Sequence, residues 1–469
     1  MSSHLPGMLR HVLIVTICMC AAAQVTAAAT ATVYPTGTFP LDMQNVQAAI
    51  DRGGTVILKA TNTVGVPTAF DFGAAGPGGG GVNLTTDVSL IGETVRGHMT
   101  TINGGVTPIL GLVPVKSRIQ GIDFEGPLDT PIALVYSAGC DIVGNRIRGN
   151  VPVLLGFGFT EIEGIIIAGN DDPLNAITGQ INVTGNTIEI SGGDFVNGMQ
   201  FDEVAADINI SGNTVNFLSS DGEVQTIGIL VFRSHGDVSV INNRVTMGNG
   251  DPNAYPSGVY VGGHAEARYT IAGNTVVTNH PQADGIDIVA FSYSGATQGA
   301  LVIGNHVSTH SLTSFNGGIV FEGGVQNSLM AANVLDGTTG NAVQIAGFDE
   351  HVIGLDDIQV ADSNLAIGND ISHEISLAGD VWFGPYSTNN LFVGRCSTYT
   401  DQGAGNHIRC GQALAAAAQS NALAATADAA PAPAAAGVGS ANRGLPAIAS
   451  RGDEIYSARL QALQLRLTR

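Results

Sequence analysis

The chain has 469 residues, 63 of them glycine, only 12% charged residues and a formal net charge of −21. Glycine costs roughly 1 kcal/mol against alanine in a helix interior, so this composition argues against a helical protein and for strands and turns. With only two lysines, Lys59 and Lys116, it also argues against nucleic acid as a partner, because such binding depends on many Lys and Arg contacts to phosphate.

Residues 1–29 read as a signal peptide. Arg10 and His11 precede the apolar run "VLIVTICMC", and small residues follow around Ala27–Ala29. The run is shorter than the roughly 20 residues that span a bilayer. The expectation is an extracytoplasmic protein (secreted, periplasmic or at the cell surface) with no membrane span after signal removal. Next, Val46 and Ile50 stand four apart within Leu41–Asp51. That spacing predicts a helix capping the N-terminal end of the strands that follow.

From residue 140 onward one sentence recurs: "INVTGNTIEI" at Ile181–Ile190, "INISGNTVNF" at Ile208–Phe217, "YTIAGNTVVT" at Tyr269–Thr278. Its asparagine falls at Asn145, Asn186, Asn213, Asn243, Asn274, Asn305, Asn333 and Asn369, with gaps of 41, 27, 30, 31, 31, 28 and 36 residues. Three positions before each asparagine and two after it the residue is apolar, from Ile142 and Ile147 to Ala366 and Ile371. Residues five apart in a straight strand face opposite ways. Both face one core only if the chain bends between them, and asparagine, with the glycine before it, tolerates a left-handed bend.

A second strand precedes the sentence in each period: "GIIIA" at Gly164, "GMQFD" at Gly198, "GILVF" at Gly228, "GVYVG" at Gly258, "GIDIV" at Gly285, "GIVFE" at Gly318 and "AVQIA" at Ala342. Its first and third following residues are apolar throughout, which is period-two alternation with one buried face. A period near 30 residues cannot bury such faces alone; stacked on its own copies, it can. The expected fold is all-β, a right-handed parallel β-helix (solenoid) over residues 40–411, with asparagines stacked in a ladder. The "I-x-G-N-x-I" bends, the segment "VQAAIDRGGTVILKA", "VSLIGE" at Val88–Glu93 and "IQGIDFEG" at Ile119–Gly126 resemble the pectin-lyase-like superfamily, whose fold hosts lyases, hydrolases, epimerases, adhesins and non-enzymes.

Beyond the repeats, Cys396 and Cys410 stand close enough in sequence for a disulfide in an oxidising compartment, or for two reduced thiols at a cap. Cys140 takes the place of Ile181 and Ile208 and is expected in the core. Residues 412–449 are Ala/Pro-rich and read as a linker. In 450–469, Tyr456, Leu460, Leu463 and Leu467 mark one face of an amphipathic helix, which docks on the open end of the solenoid or meets a partner.

The chemistry is expected on the strand that starts at each glycine, where residues alternating with the core face solvent. Asp287 and Glu322 are predicted one coil apart and offset by two residues, roughly 8 Å. That lies within the ~6.5–9.5 Å of inverting glycosidases, so these two are the candidate catalytic pair. Asp202, Glu203, Phe232, Arg233, His235, Tyr260 and His264 are the candidate substrate-binding residues, the aromatics as stacking platforms for sugar rings. No metal ligands are assigned. No cofactor is required, and Ca²⁺ is a candidate near Asp202.

The resemblance implies a polysaccharide or glycan surface as partner, and a hydrolase or lyase activity if any. The chain departs from the enzymes in several places. "GGH" at Gly262–His264 and "DD" at Asp171–Asp172 or Asp356–Asp357 are isolated fragments of polygalacturonase patterns, and the only tryptophan is Trp382. The epimerases' D-P-H-D motif is absent. A lyase base beside Ca²⁺ has only an arginine such as Arg233 to supply it, for no lysine follows Lys116. Two functions stand: a secreted protein that binds or cleaves a polysaccharide, favouring neutral or cation-bridged glycans, and a non-catalytic structural or adhesive surface protein.

Overall fold

The computed structural model describes residues 29–74, 80–105, 107–126, 130–135, 137–149, 153–154, 160–169, 179–218, 225–248, 255–262, 267–290, 296–311, 316–353 and 357–411. The predicted linker 412–449, the predicted tail helix 450–469 and nearly all of the predicted signal segment lie outside them, as do His264 and the Asp171–Asp172 pair.

Each coil contributes three short strands, and strands of successive coils pair in parallel. The result is the right-handed parallel β-helix read from the repeat. The first wall is a sheet of 14 strands, among them Ile181–Thr184, Ile208–Ser211, Val238–Ile241 and Tyr269–Ala272. The second wall follows the bend, as in Thr187–Ile190, Thr214–Phe217 and Arg244–Met247. The third holds Phe195–Asp202, Gln225–Phe232, Tyr255–Gly262, Asp284–Ala290 and Gly317–Gly323. Near the C-terminal end the last two walls merge into single strands, Val334–Ala346 and Asp370–Phe383.

The core is built by register. Val183, Ile210, Val240, Ile271, Val302 and Met330 stack in one column. Ile188, Val215, Val245, Val276, Val307 and Leu335 stack in another across the bend. All are buried, and each aliphatic side chain so buried is worth about 1.5–3 kcal/mol. Cys140 joins this core.

The asparagine ladder is continuous. The backbone N–H and Nδ2 of Asn145 donate to Asn186 Oδ1, and the same pair of bonds recurs through Asn213, Asn243, Asn274, Asn305, Asn333 and Asn369. Each ladder amide from Asn145 onward also donates to a carbonyl of the preceding coil, as Asn243 does to Ile210. The bend itself differs from the expectation. The left-handed residue is not the ladder asparagine but its predecessor: Gly144, Gly185, Gly212, Gly273, Gly304 and Gly368, with Asn242 and Ala332 in the two exceptions. The asparagine keeps ordinary φ because its amide must point into the stack.

The predicted N-terminal helix forms at Leu41–Ile50 and buries Val46, Ala49 and Ile50. It packs against Thr30–Val33, Gly54–Leu58, Phe70–Asp71 and Val82–Asn83. Its buried Asp42 gathers the N–H groups of Thr36, Gly37, Thr38 and Asp71, which ties the helix to the first coils. At the other end Cys396 and Cys410 are disulfide-bonded, with Cα atoms 5.0 Å apart.

Candidate functional site

The third wall is positioned by a glycine seam. Gly198, Gly228, Gly258, Gly285 and Gly318 stack where the second and third walls press together. A Cβ on Gly228 would lie 2.3 Å from Val245 Cγ1, and on Gly285 2.2 Å from Val307 Cγ1. The chain turns at the seam, so residues three apart across it come to the same side. Asn197 Nδ2 donates to Gln200 Oε1 at 2.8 Å across Gly198. Asp284 and Asp287 straddle Gly285 in the same way.

The predicted pair stands in the expected register. Asp287 pairs with Val320, and Glu322, two residues on, pairs with Val289. One coil and two residues correspond to about 8 Å between Cα atoms. Asp284, which strand alternation does not single out, completes a trio. Gly317 N–H donates to Asp284 Oδ1 at 2.6 Å. Burial drives all three carboxyls upward: Asp284 to about 7, with Glu322 adding to the effect, and Glu322 to about 7. Asp287 rises well above its ordinary value, through burial first and then the charges of Asp284 and Glu322. Desolvation favours the neutral acid, and neighbouring like charges act in the same direction.

Asp287 is 5% exposed, and its Oδ1 takes no hydrogen bond among the described residues. Tyr260 pairs with Asp287 one coil earlier. Gln344 is 8% exposed, stands in register with Val320 on the following coil, and its Oε1 is likewise without a partner. Gln344 reaches the trio at Gly317: a Cβ there would lie 3.5 Å from Gln344 Cβ and 3.6 Å from Oε1.

The remaining candidates form a separate group. Asp202, Phe232, Gly262, Val289 and Glu322 share one column, so Asp202 lies four coils from Glu322, about 19 Å. Glu203 and Arg233, both in left-handed conformation after the strand, form an ion pair of 2.6 Å. The Arg233 guanidinium sits 5.1 Å from the Phe232 ring centroid. Phe232 and Tyr260 flank Gly262, where a Cβ would stand 2.3 Å from Phe232 Cδ2 and 3.3 Å from Tyr260 Cε1. His235 lies two residues past Arg233, its N–H bonded to Val204 O.

The expectation of a solvent-facing wall needs correction. Gln200, Asp202, Glu203 and Asp287 are no more than 5% exposed. In the earlier coils the outward polar groups bond to one another: Asn197 to Glu163 and Gln200, and Gln200 to Asp202 at 3.5 Å. No group of three His, Cys, Asp or Glu side chains among the described residues has the arrangement to hold a metal ion, and the trio is no exception. Arg233 cannot serve as a base, since a guanidinium stays protonated in proteins and this one is held by Glu203.

No family model matches the chain, and no curated relative matches it either. Two solved structures are similar in arrangement. The A-module of the Azotobacter vinelandii mannuronan C-5 epimerase AlgE6 is 13% identical, with 79% of this chain and 95% of that chain covered at a TM-score of 0.31. A double mutant of the periplasmic alginate epimerase AlgG is 13% identical, with 81% of this chain and 82% of that one covered at a TM-score of 0.32.

Proposed function

We propose that this chain is a glycoside-cleaving β-helix protein whose active groups are Asp287 and Glu322. The observation that carries the reading is the pairing of a buried Asp287 with a part-buried Glu322 on the next coil, offset by two residues. Asp287 is the general acid, because burial, and then the charges of Asp284 and Glu322, raise its carboxyl well above the ordinary range and favour its protonated form. It gives that proton to the glycosidic oxygen as the bond from that oxygen to the anomeric carbon breaks. Glu322, raised by burial to about 7, takes a proton from water in its ionised form as the water oxygen bonds to the anomeric carbon from the opposite face. If the carboxyls stand apart as their Cα atoms do, the reaction inverts configuration. Asp284 is a positioning residue that helps hold the Asp287 proton. This reaction needs no metal, and Ca²⁺ has no assigned ligands in it. The lyase alternative has less support, because its arginine is engaged.

The leader-like segment at residues 1–29 fits a site of action outside the cytoplasm, on an extracellular or periplasmic glycan. No described helix is long and apolar enough to cross a membrane.

Reducing-end release from a glycan panel tests the proposal. Asp287→Asn and Glu322→Gln should each lower release by at least ~10²-fold, with product anomers inverted by proton NMR. Unchanged release in both variants would refute the assignment. The second reading, a rigid non-catalytic rod, is favoured by the self-bonded, buried polar wall from Glu163 to Asp202. No release from any glycan would decide for it.

A further inference from the structure

We propose that the Asp284–Asp287–Glu322 trio, together with Gln344, binds an uncharged, hydroxyl-rich sugar unit, so that the ligand class is a neutral glycan and not a uronate. The inference rests on the hydrolase reading above and narrows it.

Two buried acceptors define what the site lacks. Asp287 Oδ1 and Gln344 Oε1 take no hydrogen bond among the described residues, and a buried acceptor left unmade costs about 1–3 kcal/mol. Gln344 Oε1 calls for a donor, while Asp287, which carries the acid proton, can give a hydrogen bond as well as take one. A sugar hydroxyl donates and accepts at once; a uronate carboxylate only accepts. Asp287 and Gln344 stand in one column, two coils apart with Val320 between them, about 10 Å, and Gln344 also borders Gly317, whose N–H holds Asp284.

Charge leads to the same class. A uronate's ionised carboxylate would meet three carboxyls whose own ionisation the site already disfavours. The cation described on this wall, Arg233, is bound to Glu203. An ammonium sugar would gain attraction only from carboxyls whose ionisation burial disfavours. A site that penalises both signs of charge suits a neutral ring. Its apolar C–H face would lie on Tyr260, one coil from Asp287, and Gln344 would fix one hydroxyl. Gln344 is therefore a binding residue.

Titration calorimetry on the full chain at pH 6 and pH 8 tests this, using unsubstituted hexose oligosaccharides, oligouronates and amino-hexose oligosaccharides. Neutral oligosaccharides should bind, with affinity little changed between low and high salt. Gln344→Ala should weaken that binding about tenfold, the loss of one hydrogen bond. Gln344→Leu, which keeps the packing, should do the same with unchanged thermal unfolding. Binding of uronates alone, of amino sugars alone with steep salt dependence, of neutral glycans regardless of Gln344, or of nothing, each overturns the proposal. The two readings fail separately. Neutral binding without bond cleavage sinks only the hydrolase, and cleavage confined to uronates sinks only the ligand class.

Discussion

A single conformational constraint at each bend explains the "GN" sentence. The ladder asparagine must aim its amide along the stack, so the residue before it absorbs the left-handed turn. A Cβ in that region costs about 1–2 kcal/mol. Gly212, with φ of 63° and nothing within 4 Å of an added Cβ, isolates this term from packing. Ala332, with φ of 53°, bears the strain in the native chain. Gly212→Ala should therefore lower stability by about 1 kcal/mol in chemical denaturation. Ala332→Gly should be neutral or stabilising, since relief of strain offsets the larger unfolded-state entropy of glycine. Equal losses in both would mean the bend is not what selects glycine. The recurrence of Asn was legible in sequence; which of its two residues takes the turn was not, because Gly and Asn both tolerate it.

Within the third wall, inward and outward faces were unequally legible. The core requires apolar residues at fixed steps, so Ile286, Ile288, Ile319 and Phe321 were found by alternation alone, and all are buried. Nothing imposes a period on the outward face. Asp287 and Glu322 could be placed by counting, but Asp284 could not, because straight-strand alternation puts i and i+3 on opposite faces and the turn at Gly285 reverses that. The same turn in Asn197-Gly198-Met199-Gln200 gives the hydrogen bond of 2.8 Å, so a strand opening polar-Gly-x-polar is the signal that would have found Asp284. The trio also makes the wall sensitive to pH. Asp284 and Glu322 titrate near 7 when folded and near 4 when unfolded. Acids with raised folded values disfavour folding once the unfolded chain ionises, so stability is greatest below about pH 4–4.5 for these groups and declines as pH rises to about 7. Glu374, raised to about 7 by burial, acts in the same direction. Asp336, Asp349 and Asp370 are lowered, and their opposing effect falls at more acidic pH. The melting temperature should be higher by a few degrees at pH 5 than at pH 8. Asp284→Asn combined with Glu322→Gln should flatten that slope; an equal slope in the double variant would show that the carboxyls are not buried together.

At the scale of the molecule, a solenoid holds each coil through its two neighbours only, so its ends are its weak points. The two ends are secured differently. At the start, Asp42 of the helix Leu41–Ile50 collects backbone N–H groups from Thr36 to Asp71. At the finish of the described chain, His407–Cys410 pairs with Leu391–Gly394 along one side of the first wall, Gly394 opposite Cys410. That last strand buries little: His407 and Arg409 are exposed, and Ile408 is only partly covered. Its retention must come from backbone pairing, from Asn390 N–H and Nδ2 donating to Asn406 Oδ1, and from the Cys396–Cys410 bond. A disulfide closing a loop of this length contributes about 3 kcal/mol in the chain-entropy account. Cys396→Ser with Cys410→Ser should therefore leave the main unfolding transition in place, because the central coils do not touch the last strand. Amide exchange should instead quicken locally, in 391–394 and 407–410, while 208–217 and 225–232 keep their protection. If exchange rose equally along the whole stack, the coils would be unfolding as one cooperative body, and nearest-neighbour stacking would be the wrong description of what holds this protein together.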